Sequence, residues 1–227
     1  TIPANRALAY NDSLDYSIIL VKDKNDFTNQ KIVVATQQQY IKITTDNFNV
    51  LINTKGGDIE KVSLPYYYDQ IDTPDNPFVL LDSPDYTGST ASTTYIAQSG
   101  LFGINGTDKK GSPRPVFSSD KSEYTLNEGE EELEVVLTTK QGKVIIEKVF
   151  TLKRGDYAIE MQYRINNQSN KPWKAGLFAQ IQRDTHEPAT DAGIGMQPFL
   201  GAAYTTKETN YVKFSFDDIA EDKPKTT

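Results

Sequence analysis

One short stretch of this sequence concentrates side chains that can bind metals or transfer protons. It holds the only histidine of the chain among three carboxylates, Asp184, His186, Glu187 and Asp191. A single histidine excludes a site with two histidine ligands. The carboxylates also lack the pattern of small residues at set spacings that a calcium-binding loop requires. The stretch therefore favours a solvated polar loop, and we predict no metal site.

The tripeptide Arg154-Gly155-Asp156 matches an integrin-type adhesion sequence. The same residues suit a tight turn, because glycine adopts positive φ readily and aspartate can accept hydrogen bonds from the nearby backbone. A three-residue match without context is a weak functional signal. We therefore interpret it as a turn and keep adhesion as an alternative.

Other catalytic signatures do not occur in the sequence. It contains no cysteine, no Gly-x-Ser-x-Gly nucleophile motif, no P-loop and no Gly-x-Gly-x-x-Gly motif. Trp173 could stack on a sugar, although a lone tryptophan more often fills a core. We therefore predict no catalytic residue and no cofactor, and expect that the chain is not an enzyme.

Composition limits the classes of partner. The net charge of -7 and the pI near 4.8 argue against binding to nucleic acid or to anionic lipid, since no basic excess exists to neutralise phosphates. The longest aliphatic run, residues 18–21, is far shorter than the roughly 20 residues that span a bilayer. No signal peptide is visible in the first ten residues, so we expect any targeting element of the native protein to lie outside this sequence.

The elements that would position these residues are strands. Residues 157–165 alternate with period two, which is typical of a half-buried strand. The apolar side holds Tyr157, Ile159, Met161, Tyr163 and Ile165, and the polar side holds Glu160, Gln162 and Arg164. The preceding run, residues 144–152, is also extended in pattern, and the turn at residues 153–156 joins the two runs into a predicted β-hairpin.

Further strands are predicted along most of the chain, at residues 40–44, 49–52, 59–64, 78–81, 95–97, 123–126, 133–139, 174–182, 202–205 and 211–216. Pro65 is expected to end the third of these, and residues 66–111 to form a long irregular excursion. The steady rhythm from Glu123 predicts an antiparallel meander. One or two helical turns are expected within residues 217–222.

These patterns predict an all-β protein with three segments. Residues 1–39 would form a variable leader or linker with one edge strand. Residues 40–222 would form a single domain, which is an ordinary size for a β-sandwich. Residues 223–227 would be a cut linker.

Five short motifs, in this order, resemble the large periplasmic domain of the YidC family of membrane-protein insertases. They are LINTKGGDIE at residues 51–60, QSGL at 98–101, FTLKRGDY at 150–157, GAAY at 201–204 and KFSFD at 213–217. The resemblance covers about residues 40–220. It implies a twisted antiparallel β-supersandwich, similar to galactose mutarotase, with a minor C-terminal helix.

The resemblance also implies a location and a role. The domain would lie on the periplasmic face of the Gram-negative inner membrane, soluble in itself and tethered in the full-length protein. It would act as a non-catalytic scaffold while later transmembrane helices insert and fold membrane proteins with the Sec translocon. The implied partners are nascent membrane proteins and the accessory subunits SecD and SecF.

In the family, contact with SecD and SecF has been linked to the C-terminal part of this domain. By the resemblance, the corresponding part of this sequence is about residues 195–216. Its candidate partner-binding residues, expected to be exposed aromatics, are Tyr204, Tyr211 and Phe214. The alternation of Val212, Phe214 and Phe216 equally suits the inward face of a strand. A carbohydrate-binding or mutarotase-like enzyme domain remains an alternative, because a fold does not fix a function.

Overall fold

The computed structural model describes residues 39–68, 75–86, 88–186, 199–205, 207–208 and 210–221, with the backbone of residues 16–17 and 35–36. The chain divides into two compact units, Thr1–Gln182 and Arg183–Thr227. The predicted domain boundaries stay predictions. Most of the leader, and the whole of residues 223–227, lie outside the described residues.

The first unit is built from strands, most of them joined in antiparallel pairs, and the last strand ends one residue beyond the boundary of the unit. They are β1 (Tyr16–Ser17), β2 (Ala35–Thr36), β3 (Tyr40–Thr44), β4 (Asn49–Asn53), β5 (Asp58–Tyr68), β6 (Pro77–Leu81), β7 (Tyr95–Phe102), β8 (Glu123–Thr125), β9 (Glu132–Gln141), β10 (Val144–Lys153), β11 (Ile159–Asn167) and β12 (Gly176–Arg183). These strands form where apolar residues alternate in the sequence. The alternation places the apolar side chains on one side of each strand, and that side can be buried.

Two of the sheets face each other across the core. The larger has the strand order β12-β7-β5-β4-β3-β8, with β6 paired to β5, and the smaller has the order β11-β10-β9. Buried side chains from both sheets form one cluster, including Ile41, Ile43, Val50 and Ile52 of the larger and Val135, Leu137, Phe150 and Leu152 of the smaller. This arrangement confirms the predicted all-β sandwich.

The predicted hairpin is present, with β10 paired to β11 from Val144↔Asn167 to Leu152↔Ile159. The predicted alternation holds in its centre, where Ile159, Met161 and Tyr163 pack against the core. It fails at both ends, because Tyr157 is 50% exposed and Ile165 is 38% exposed. Only the central part of the strand lies over the opposite sheet.

Two predictions about the strands are wrong. Pro65 does not end β5, which continues to Tyr68. Pairing with β4 ends at Ser63, so Pro65 has no need to donate a ladder hydrogen bond on that side. The predicted meander holds only for β9, β10 and β11. Its first strand, β8, instead pairs in parallel with β3 in the other sheet.

The second unit contains a short hairpin and a helix. The hairpin pairs β13 (Gly201–Tyr204) with β14 (Val212–Ser215), and α1 (Phe216–Ala220) follows directly. Ser215 begins the helix through a reciprocal capping box with Asp218. The predicted minor C-terminal helix is therefore confirmed. Nothing helical in the described ranges has the length and apolar character needed to cross a bilayer.

Candidate functional site

The three aromatic residues predicted to contact partners lie on or beside the β13–β14 hairpin. Tyr204 is 41% exposed, and Tyr211 is 61% exposed just before β14. Phe214 is partly buried and stacks on Tyr204, with ring centroids 5.8 Å apart. The ammonium group of Lys213 lies 5.5 Å from the ring of Tyr211. The hairpin thus presents aromatic rings, and Phe214 supports one of them.

The Arg154-Gly155-Asp156 tripeptide forms the turn between β10 and β11. The guanidinium group of Arg154 donates hydrogen bonds to the carbonyl oxygens of Glu130 and Asn127. Asp156 accepts a hydrogen bond from the backbone of Ala158, and Gly155 adopts a φ of 71°. These bonds turn both charged side chains toward their own chain, which supports the interpretation as a turn.

The other polar candidates have local structural partners. Asp184 accepts a hydrogen bond from the backbone nitrogen of His186, and the predicted members Glu187 and Asp191 lie outside the described residues. Within the described part of the chain, no three acidic, histidine or cysteine side chains are grouped as metal ligands. Trp173 packs against a small apolar cluster and donates its indole N–H to Gln141 over 3.0 Å.

The sequence interpretation missed a group of four ionisable residues, here called the buried charge cluster: Asp58 and Lys148, which are buried, with Asp108 and Arg114, which are partly buried. Arg114 forms ion pairs with both Asp58, at 2.5 Å, and Asp108. Lys148 reaches across from the smaller sheet, and its Nζ lies 3.9 Å from Asp58. Two carboxylates and two cations balance in formal charge, and they join both sheets to the loop that carries Asp108 and Arg114.

Lys148 is held by backbone carbonyls as well as by the carboxylate. Its Nζ donates to the oxygen of Gly56 at 3.0 Å and to that of Ser99 at 3.2 Å. Gly57 has a φ of 62°, and a Cβ there would lie 2.9 Å from Cδ of Lys148. The absence of a side chain at Gly57 therefore leaves room for the lysine to enter.

Burial is the main influence on the pKa values of Lys148 and Asp58. It lowers the pKa of Lys148 from its ordinary value of 10.5 to about 8, against the opposing attraction of Asp58. Burial also raises the pKa of Asp58, although Arg114 and Lys148 oppose the shift. A lysine with a lowered pKa can act as a nucleophile, but Lys148 is only 1% exposed. The ion pairs of the cluster therefore form a structural connection between the two sheets.

The lowered pKa of Lys148 predicts a pH dependence of stability. Between about pH 8 and 10.5 the unfolded chain binds more protons at this residue than the folded chain does, so stability rises with pH. Raising the pH from about 7.5 to about 9.5 should stabilise the wild type by about 2 kcal/mol relative to Lys148→Met. Urea unfolding of both proteins at both pH values measures this difference. If the free energy of unfolding of the wild type minus that of Lys148→Met stays constant or falls as the pH is raised, the prediction is wrong.

Two concave surfaces could hold a ligand. The inter-sheet cleft, of about 400 Å³, opens between β11 and β12 and is lined by Ile159, Met161, Ala179, Gln180 and Ile181 with parts of β5, β7 and β10. Gln180 donates to Gln98, which donates to Asp58 of the buried charge cluster. The cleft thus combines an apolar lining with a chain of polar side chains that leads from exposed Gln180 to Asp58.

The second surface, here called the sheet-face pocket, has a volume of about 370 Å³ and lies over β3, β4 and β5. Lys42, Leu51 and Lys61 form one cross-strand row, and Thr44, Asn49 and Ser63 form the next. Tyr40 and Tyr86 pack edge to face at one side, with centroids 6.2 Å apart. Burial, followed by the charge of Glu60, raises the pKa of Tyr40 to about 12, so its hydroxyl stays protonated.

Two facing sheets with a shared apolar core place this chain in the class of all-β sandwich domains. Residues 40–227 match the family model described as the YidC periplasmic domain. The chain belongs to the YidC periplasmic domain family. This result confirms the resemblance that the five sequence motifs indicated.

Curated relatives carry the same family name. The chain is similar to the membrane protein insertase YidC of Cellvibrio japonicus, with 45% identity over 194 residues, covering 86% of this chain and 34% of the relative. It is 38% identical to the insertase of Pseudomonas fluorescens strain SBW25 over 195 residues, again covering 86% and 34%. The chain therefore spans about a third of the length of these relatives.

Proposed function

We propose that this chain is a non-catalytic interaction domain of a membrane-protein insertase, on the periplasmic face of the inner membrane. It supports the insertion and folding of membrane proteins by holding partner proteins beside the insertase. The proposal rests on membership of the YidC periplasmic domain family and on relatives named as membrane protein insertases. The observation that carries its binding role is the pair of exposed tyrosines on the β13–β14 hairpin.

The aromatic hairpin is suited to docking a protein. Tyrosine supplies a large apolar contact area with a polar end and is enriched at the energetic centres of interfaces. Tyr204 is held in place by its stacking on Phe214, so less side-chain freedom is lost on binding. The partners we propose for this surface are the Sec accessory subunits SecD and SecF, with nascent membrane proteins as the substrates.

Site-specific photo-crosslinking in the full-length insertase tests this proposal. A photoreactive amino acid at Tyr204 or Tyr211 is expected to crosslink to SecD or SecF in membranes. The same amino acid at Glu128, which is exposed in a turn of the first unit, serves as the control and should give no such product. If neither tyrosine position crosslinks to a Sec component while the protein accumulates normally, the docking role is wrong.

The sheet-face pocket favours a second candidate function, the binding of a neutral sugar. Its two tyrosine rings could pack on a sugar, and Thr44, Asn49 and Ser63 offer hydroxyl and amide groups. Two measurements with a panel of hexoses separate the two functions. Calorimetry measures the binding of each hexose, and a kinetic assay measures the rate of anomer exchange. If a hexose binds and Asn49→Ala lowers its affinity, the result would favour the sugar function.

A further inference from the structure

A second apolar surface lies in the first unit and is independent of the β13–β14 hairpin. We call it the tyrosine arm, defined as residues 64–68 of β5 and 77–81 of β6. Its exposed side chains and their exposed fractions are Tyr66 69%, Tyr67 51%, Tyr68 49%, Phe78 40%, Val79 39% and Leu80 46%. Large apolar groups at this level of exposure, concentrated in two neighbouring strands, mark a binding surface.

The arm is exposed because it extends past its neighbour in the sheet. Pairing of β4 with β5 ends at Asn49↔Ser63, whereas β5 continues with β6 at Leu64↔Phe78 and Tyr68↔Pro77. A two-stranded ribbon cannot bury both of its faces and is marginal alone in water. The first half of β5 is anchored in the core, where Val62 is only 2% exposed. The core therefore holds the arm in place but does not cover it.

The aromatic surface extends onto the turn that precedes β11. The rings of Tyr67 and Tyr157 pack edge to face, with centroids 6.0 Å apart, and Tyr157 packs in turn against the buried Phe48. Hydrogen bonding to Tyr67 is the largest cause of a raised pKa at Tyr157, and the charge of Asp46 is a smaller one. Asp46 accepts a hydrogen bond from the backbone nitrogen of Gly155, two residues before Tyr157, and therefore lies at the border of the aromatic surface.

The charges around the arm are acidic. No charged residue occurs within residues 62–68 or 77–81. Exposed Asp75 lies just before β6, and Asp46 and exposed Asp156 lie at the turn beside Tyr157. Among the cations near the arm, Lys61 contacts Asp82 at 3.8 Å and Lys153 contacts Glu160 at 2.9 Å, while Arg154 in the same turn donates to two backbone carbonyl oxygens. Asp46, Asp75 and Asp156 outnumber Arg154, so the border of the apolar rings carries an excess of negative charge.

We propose that the tyrosine arm binds an extended polypeptide segment in which a short apolar stretch is bordered by lysine or arginine. The apolar stretch covers the rings, and the basic residues meet the carboxylates and the faces of the tyrosine rings. An anionic bilayer and a second copy of this acidic chain would both meet like charge at this border. The inference concerns a different surface from the hairpin and survives if the hairpin fails to bind Sec subunits.

Peptide capture by the full 227-residue chain tests the inference. A photoreactive residue replaces Phe78, and the probe is a peptide of roughly eight apolar residues, long enough to lie along the arm, with lysines at both ends. The matched probe has the same centre with glutamates at both ends. We expect about tenfold more crosslinked product with the lysine peptide, and the preference should decrease at high salt.

Two variants separate the apolar and the charged contributions. The double substitution Tyr66→Ser with Tyr68→Ser is expected to reduce capture about tenfold, whereas Tyr211→Ser in the second unit should leave it unchanged. Asp75→Lys keeps the rings and is expected to lower the preference for the lysine peptide several-fold. Circular dichroism and the urea midpoint should be unchanged in all of them, because the substituted side chains are exposed.

Several results would overturn the inference. Equal capture of the lysine and glutamate peptides would remove the role of charge. Crosslinking of Phe78 to a second copy of the chain would identify that copy as the occupant. Binding of the chain to vesicles that contain phosphatidylglycerol, if the Tyr66→Ser, Tyr68→Ser variant loses this binding, would identify a membrane as the occupant. In the full-length insertase, a crosslink from Phe78 only to its own polypeptide would show that the arm is an internal packing surface.

Discussion

Replacing Asp58 with alanine is expected to lower the free energy of unfolding by about 3–5 kcal/mol. Asp58 is 4% exposed and lies beside both cations of the buried charge cluster. Without its carboxylate, Arg114 and Lys148 share a buried site with Asp108 alone, and Gln98 loses its acceptor. Chemical unfolding in urea at neutral pH measures the loss.

A second substitution distinguishes charge imbalance from a general loss of packing. Asp58→Ala combined with Lys148→Met removes one charge of each sign, and the double variant should be at least about 1 kcal/mol more stable than Asp58→Ala alone. Asp75→Ala, at an exposed aspartate, should change stability by about 0.5 kcal/mol or less. A loss below about 1 kcal/mol for Asp58→Ala would mean that water or rearrangement satisfies the cluster.

Phe150→Ala is expected to cost about 3–5 kcal/mol, because it leaves a large void in the core. Phe150 is 2% exposed on β10, the central strand of the smaller sheet, and belongs to the cluster shared by both sheets. Lys148 Nζ also lies 5.6 Å from its ring centroid. Urea unfolding again gives the free energy.

The matched control for this substitution is Phe78→Ala on the tyrosine arm, where the ring is 40% exposed. It removes the same atoms and should cost about 1 kcal/mol or less. Similar losses at both positions would contradict the assignment of the core to the space between the two sheets.

Strand positions were predictable where apolar residues alternate and turns are short. Residues 40–44 match β3 fully, and residues 144–152 match β10 to within one residue. Pairing between distant strands was not predictable, since the parallel partner of β3 lies 81 residues away and leaves no local pattern. The continuation of β5 through Pro65 depends on where β4 ends, which is a tertiary property.

The site was less predictable than the fold. One signal for the buried charge cluster exists in the sequence, because Lys148 occupies the same alternating phase as Ile146 and Phe150, both of which point inward. Its partners could not be found that way, since Asp58 and Arg114 are 56 residues apart and Arg114 lies in a loop. The hairpin aromatics were named from family resemblance, and their contact with a partner remains a prediction.

The buried charge cluster has a consequence for the order of folding. Lys148 and Gly56 are separated by 92 residues, so their contact closes a long loop, whereas β9, β10 and β11 are joined by short turns. Local hairpins form quickly, and contacts between distant segments form late. The cluster should therefore be absent from the folding transition state, and its loss should accelerate unfolding more than it slows folding. In this chain the balanced charges therefore act mainly on the unfolding rate, and so determine the lifetime of the folded sandwich.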